Sequence, residues 1–240
     1  MGSLLRLEIA RTFRNPVSMV FLIGFPLALY LLWTKVLPVS AGTGITDFAA
    51  YSMVSMATYG SLGGALFIGG AIALERTGGW LRQLAVTPLP GHGYVVAKLV
   101  AGMLGVLPSI VAVLAAGAAL GGVRLAGTTW VVLVPLIWLG VLPFAALGVA
   151  LGYSLAGQSA NMAMIVVYFG LSVLGGLWVP VEALPDGLRA VAEYSPAYQA
   201  GSLGWRALDG LAPTGTAVAV LAGWTLLFCA LAVWRYRRAL

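Results

Sequence analysis

The sequence predicts an all-α integral membrane protein with six transmembrane helices, an amphipathic N-terminal helix lying at the interface, and short external helices between spans five and six. Three observations carry that reading. Hydrophobic residues are 61% of the 240 and charged residues only 8%, whereas a soluble domain is nearer half apolar and about a quarter charged. Apolar runs recur at the length of a spanning helix, about 20 residues, and six of them use roughly half of the chain, leaving no room for a separate soluble domain. Finally, Lys and Arg divide unevenly between the two sides those spans define.

The chain reads as a single transmembrane domain, 1–240, and its elements follow in order. In residues 1–16, Leu5, Ile9 and Phe13 recur at i, i+4 and i+8 and form one apolar stripe, with Arg6, Glu8, Arg11 and Arg14 elsewhere on the wheel. Such a helix suits the headgroup region, its arginines near anionic lipid. Asn15-Pro16 breaks it, because a residue before proline is pushed out of the helical region. The spans are expected at about 17–37, 50–73, 95–120, 129–155, 160–180 and 214–234. "VSAG" at 39–42 resembles a cleavage site, but the preceding apolar run is longer than the 7–15 residues of a signal peptide, so an uncleaved first helix is expected.

With the N-terminus in the cytoplasm, Arg6, Arg11, Arg14, Arg76, Arg82, Lys98, Arg235, Arg237 and Arg238 fall inside, and Lys35, Arg124, Arg189 and Arg206 outside. Nine against four fits the positive-inside rule with both termini cytoplasmic. Among the acids, only Glu8 and Glu75 fall inside. This asymmetry, rather than nucleic-acid binding, accounts for the formal charge of +6.

Glycine (32 residues) clusters in the spans. Gly60 and Gly64 have small-xxx-small spacing, which lets helix backbones approach in lipid; the partner helix is left open. Pro26, Pro108, Pro135 and Pro143 fall within spans and need neighbours that satisfy the freed carbonyls.

Several chemistries are missing. There is no G-x-x-x-x-G-K-[ST] loop, and the only lysines are Lys35 and Lys98, so the chain has no phosphate-cradling loop for ATP. His92 is the only histidine and Cys229 the only cysteine, which excludes an internal disulfide and a clustered metal site. An intramembrane enzyme lacks a buried catalytic pair. Few ionisable residues fall mid-membrane, which argues against a proton- or ion-coupled carrier. Ser154, Gln158, Ser159 and Asn161 read as a short polar turn.

Two loops are informative. The cytoplasmic loop, 74–94, contains "LERTGGWLRQLAVTP", long enough for a short helix with Trp80, Leu81 and Leu84 on one side and Arg82 and Gln83 on the other, ended by Pro88. From physics alone it fits either a groove on a soluble partner or the membrane surface. The external loop, 181–213, has proline punctuation and helical spacing at Leu184, Leu188 and Val191. Trp178, Tyr194, Tyr198 and Trp205 around it suit an interfacial aromatic belt.

These features together resemble the membrane subunit of type-2 ABC exporters, the permease family of drug, polysaccharide and lipid exporters. The carriers are the N-terminal helix before six spans, the external helices, and E-R-x-x-G-x-L-R-x-L-x-x-T-P, matched by Glu75, Arg76, Gly79, Leu81, Arg82, Leu84, Thr87 and Pro88 with Lys98 following. Thr77 departs from the acidic residue common there. The resemblance implies a transport subunit that is not itself an enzyme. It would bind no cofactor, with ATP and Mg on a separate ABC ATP-binding subunit docked under the 75–90 segment, Trp80 included. A second permease chain, identical or related, would pair with it in the cytoplasmic membrane. Arg6, Arg11 and Arg14 are placed on the interfacial helix, with Arg11 and Arg14 near the ATPase. Tyr59, Gly60, Gly64, Phe67, Tyr168 and Phe169 are placed at the dimer interface and pathway. A hydrophobic or amphiphilic drug or lipid fits the few charges better than a polyanion. The alternative is a stand-alone secondary carrier or channel.

Overall fold

The structure is a computed structural model that describes residues 2–14, 20–36, 47–80 and 91–239. Among these there are helices and turns but no strands. We number the helices α1 (Gly2–Phe13), α2 (Val20–Val36), α3 (Phe48–Thr77), α4 (Gly91–Ala119), α5 (Gly127–Ser154), α6 (Gly157–Leu174), α7 (Asp186–Glu193), α8 (Pro196–Leu208) and α9 (Gly215–Ala239). A short 3-10 turn, Val181–Ala183, precedes α7.

Among the described residues, five helices are long and apolar enough to cross a membrane: α3, α4, α5, α6 and α9. The first expected span appears as α2, 17 residues, below the about 20 of a typical span; its flanks fall outside the described residues. The 74–94 loop is shorter than expected, because α3 continues to Thr77 and α4 already begins at Gly91. Thr77 bonds back to the Ala73 carbonyl at 3.0 Å, and the chain leaves the helix at Gly79, whose φ of +79° suits glycine. Likewise α6 stops at Leu174, before Gly175 and the positive-φ Gly176.

Two spans are broken in the middle. α3 pauses at Phe67, between glycine pairs, and α5 at Val141. The second break precedes Pro143, which has no N–H for the preceding turn. α3 is the buried centre of the molecule, with α2, α4, α5, α6 and α8 around it. α9 lies on the second half of α5.

Gly60 marks the crossing of α2, α3 and α4. A Cβ there would lie 2.6 Å from Ser109 Oγ and 2.7 Å from Pro26 Cγ. Gly64 faces Leu22 and Val106 in the same way, so this surface packs against helices of its own chain. Pro26 cannot donate to the Leu22 carbonyl one turn back, and Ser109 Oγ donates to it instead at 2.8 Å. That is the rescue a proline within a membrane helix requires.

The 181–213 segment is built into the bundle end. α8 packs against α3, α5 and α9 and buries Ala197, Ala200 and Leu203. Trp205 stacks on Tyr51 at 4.8 Å and donates to Ser55 Oγ at 3.0 Å. Trp178 also turns inward, edge-on to Tyr59 at 5.5 Å. Of the expected aromatic belt, Tyr194 is openly exposed. Tyr198 is half-buried beside Trp205, and the two tryptophans are used for packing, since large rings fill space that small residues leave.

Candidate functional site

The N-terminal helix presents a different face to the protein from the apolar stripe its sequence suggests. Leu4 and Glu8, one turn apart, are buried against α4, whereas Leu5 and Ile9 are half-buried and Phe13 is exposed. The reason is electrostatic. Glu8 Oε2 lies 2.7 Å from Lys98 Nζ, in the first turns of α4. A carboxylate in an apolar setting is stable only beside an opposite charge.

Lys98 Nζ also reaches Glu75 Oε1 at 2.7 Å. Arg11 Nη1 donates to that same oxygen at 2.6 Å, and the Tyr94 hydroxyl to Glu75 Oε2 at 2.5 Å. Glu8 and Lys98 are 2% and 6% exposed, while the Arg11 side chain is 59% exposed. Three elements distant in sequence are thus bound by one network: α1 through Glu8 and Arg11, the end of α3 through Glu75, and the start of α4 through Tyr94 and Lys98. Glu75 is the last acid before residues 78–90, and Tyr94 and Lys98 follow them directly.

The network closes one end of a cavity of about 770 Å³ between α1, α2, α3, α4 and α6. Glu8, Arg11, Glu75 and Lys98 line that end. The rest is apolar and aromatic: Phe25, Tyr59, Phe67, Tyr168 and Phe169 all contribute to the wall. Tyr59 and Tyr168 stack at 4.5 Å, and Phe67 meets Tyr168 edge-on at 5.8 Å. A concave space of this size with a few convergent polar groups is the usual form of a small-molecule site. Tyr59, Gly64, Phe67, Tyr168 and Phe169, expected along a pathway, all border this one cavity; Gly60 lies at the helix crossing instead.

Of the expected coupling residues, Glu75, Arg76, Gly79 and Trp80 are described, and Leu81, Arg82, Leu84, Thr87 and Pro88 lie outside the described residues. Arg76 turns toward α5. Its Nη2 donates to the Leu155 carbonyl at 2.7 Å and its Nη1 to that of Tyr153. These are carbonyls at a helix C-terminus, which lack intrahelical donors and attract a cation. Replacing Arg76 with alanine is expected to cost about 2 kcal/mol, from two hydrogen bonds with a charged donor. The loss should appear as a lowered thermal midpoint in detergent, and Arg76→Lys should recover part of it. Trp80 packs on the core. On α1, Arg6 and Arg14 are exposed, and Arg11 alone of the three joins the network.

Sequence reasoning missed Glu8 and Tyr94. Charge offered the signal for the first. Glu8 and Glu75 are the two acids on the expected inner side and Lys98 the lysine there, and in so apolar a chain such charges pair. For Tyr94 nothing in the sequence gave one.

Comparison with known proteins bears on this arrangement. Residues 34–234 match the family described as ABC-2 family transporter protein. The chain is also 28% identical, over 235 residues, to "Putative transport permease YvfS" of Bacillus subtilis (strain 168), covering 96% of this chain and 94% of that one. The family match spans α3 to α8 and most of α9, the cavity wall that α3, α4 and α6 contribute, and three of the network's five residues, Glu75, Tyr94 and Lys98; the wall from α1 and the first half of α2 lies before it. The chain belongs to the ABC-2 transporter family, as a membrane component of an ABC transporter.

Proposed function

We propose that this chain is the membrane-spanning permease subunit of an ATP-driven exporter that moves a hydrophobic or amphiphilic substrate, drug or lipid-like, across the cytoplasmic membrane. In this reading α2 completes a set of six spans, and both ends of the chain face the cytoplasm, as the Lys and Arg distribution favours. The stripe of Leu5, Ile9 and Phe13 faces lipid. A separate ATP-binding subunit carries ATP and Mg and grips residues 75–90, and a second permease chain completes the transporter.

The observation that carries the proposal is the anchoring of the 78–90 segment. Its two ends run straight into Glu75 and Lys98, which are held to each other and to α1. Force applied to the segment therefore reaches α1, α3 and α4 together, beside the cavity. A nucleotide-driven movement shifts the cavity only if these contacts differ between two states, so in this reading they are the contacts that rearrange.

The test is co-purification of the tagged chain from its native membrane. A soluble protein with a phosphate-binding loop should come with it, and substrate-stimulated ATP hydrolysis by the complex should fall at least tenfold in Trp80→Ala and Arg82→Ala while membrane insertion persists. Transport by liposomes containing this chain alone would instead favour the stand-alone carrier.

A further inference from the structure

Glu8 is the one member of the ionic network with an oxygen to spare. Its Oε2 faces Lys98, but Oε1, fully buried, has no hydrogen-bond partner among the described residues. The side chain is 3% exposed and borders the cavity. A buried carboxylate oxygen left without a donor is costly, so it marks a place where a donor belongs.

The charge balance says which donor. Glu8 and Lys98, both buried, and the partly buried Glu75 together carry a formal charge of −1. The compensating Arg11 is more than half exposed and spends its Nη1 on Glu75, where solvent weakens its field at Glu8. An anionic headgroup entering here would meet two carboxylates and a lysine already held by both. A neutral hydroxyl would satisfy the hydrogen bond but leave the charge uncompensated. A protonated amine satisfies both. Beyond the carboxylate, the cavity wall offers aromatic faces, Tyr168 with Phe67 and Phe169 against it at 5.8 and 5.4 Å. Such faces accept an apolar body and also favour a neighbouring cation.

Accepting the permease reading above, we infer that the cavity binds cationic amphiphiles, a primary or secondary ammonium meeting the Glu8 carboxylate as the side chain turns its unpaired Oε1 to the cavity it borders, and the apolar part lying against Tyr168 and Phe169. The polar end is fixed by an acceptor that no described residue fills. The apolar end is fixed by ring surface without directional partners, so headgroup charge is selected more strictly than tail shape.

The test uses the intact transporter complex in lipid nanodiscs without nucleotide, and monodansylcadaverine, a fluorescent primary amine, as the probe. Saturable binding is expected, and the N-acetylated, uncharged analogue should bind at least tenfold more weakly. Glu8→Gln should remove most of that difference by weakening the amine and not the analogue, and dodecyl phosphate should fail to compete. Equal affinity for amine and acetyl analogue, or an unchanged amine affinity in Glu8→Gln, overturns the inference. Should Glu8→Gln not yield folded protein, Phe169→Ala decides. Its ring is 39% exposed, and the variant should weaken both probes several-fold; no change overturns the assignment of the cavity. Binding is read without ATP, so a complex that hydrolyses ATP but ignores the amine refutes this inference alone. A chain that binds the amine but never retains an ATPase refutes the permease reading and supports the site.

Discussion

Lys98→Met should be among the most destabilising substitutions in the protein, lowering stability by about 3–5 kcal/mol, the range for removing one partner of a buried ion pair. Lys98 is 6% exposed and sits between two carboxylates at 2.7 Å each. Without it, Glu8 and Glu75 are left as like charges in a poorly solvated pocket with only Arg11 at the rim. The magnitude comes from the charges left behind, which gives the test its control. Lys98→Met combined with Glu8→Gln and Glu75→Gln removes all three charges and should regain most of the stability. Arg11→Ala, at the solvated edge, should cost no more than about 1 kcal/mol, as exposed pairs do. Thermal midpoints by size-exclusion in one detergent would rank the three. A Lys98→Met variant as stable as its parent would mean that the network is a surface feature and not an internal clamp.

The other large effect lies where the second half of α3 crosses α5. A Cβ on Gly69 would lie 1.7 Å from the Gly148 carbonyl oxygen, one on Gly148 would lie 2.2 Å from the Leu66 carbonyl oxygen, and one on Gly152 would lie 2.4 Å from that of Gly69. All three obstacles are backbone, so no side-chain rotation relieves them. Overpacking of a core commonly costs 1–3 kcal/mol where neighbours can yield, and here the helix axes themselves must separate. Gly148→Ala and Gly69→Ala are each expected to abolish recovery of monodisperse protein. Gly170→Ala, with nothing within 4 Å of its Cβ on α6, should be neutral or slightly stabilising, since alanine is the better helix former. If Gly148→Ala expresses and elutes like the parent, the two helices are not in backbone contact.

Both predictions involve residues the sequence singled out only in part. Glu75 and Lys98 stood out because charge is scarce, and Gly60 and Gly64 because of their spacing. The tightest crossing uses Gly69, Gly148 and Gly152 instead. Only one of those helices was noted for small-residue spacing, and Gly69 lies just beyond the pause at Phe67. The break at Val141 was legible in Pro143, whereas that at Phe67 was not, since glycine permits a break without requiring one. The aromatic residues expected along a pathway do share one cavity, but Trp178 and Trp205, read as interfacial anchors, turn inward to fill space beside α3.

At α1 the periodicity described one face and left the other unread. Leu5, Ile9 and Phe13 form a regular stripe, and a stripe predicts that one face is apolar without saying what covers it. The face packed on the protein carries Leu4 and Glu8, and the Glu8 carboxylate is held there by Lys98 at 2.7 Å.

Composition, run length and charge asymmetry alone determined that this is a helical membrane protein, where most of its spans lie, and that 75–90 is its polar island. Those properties follow from the transfer of side chains between water and lipid, which is local and additive along the chain. The tertiary structure decided which charges meet, which glycines touch and where a cavity remains. These depend on distances between segments as far apart in the chain as those of Glu8 and Phe169, and a linear pattern carries no record of them.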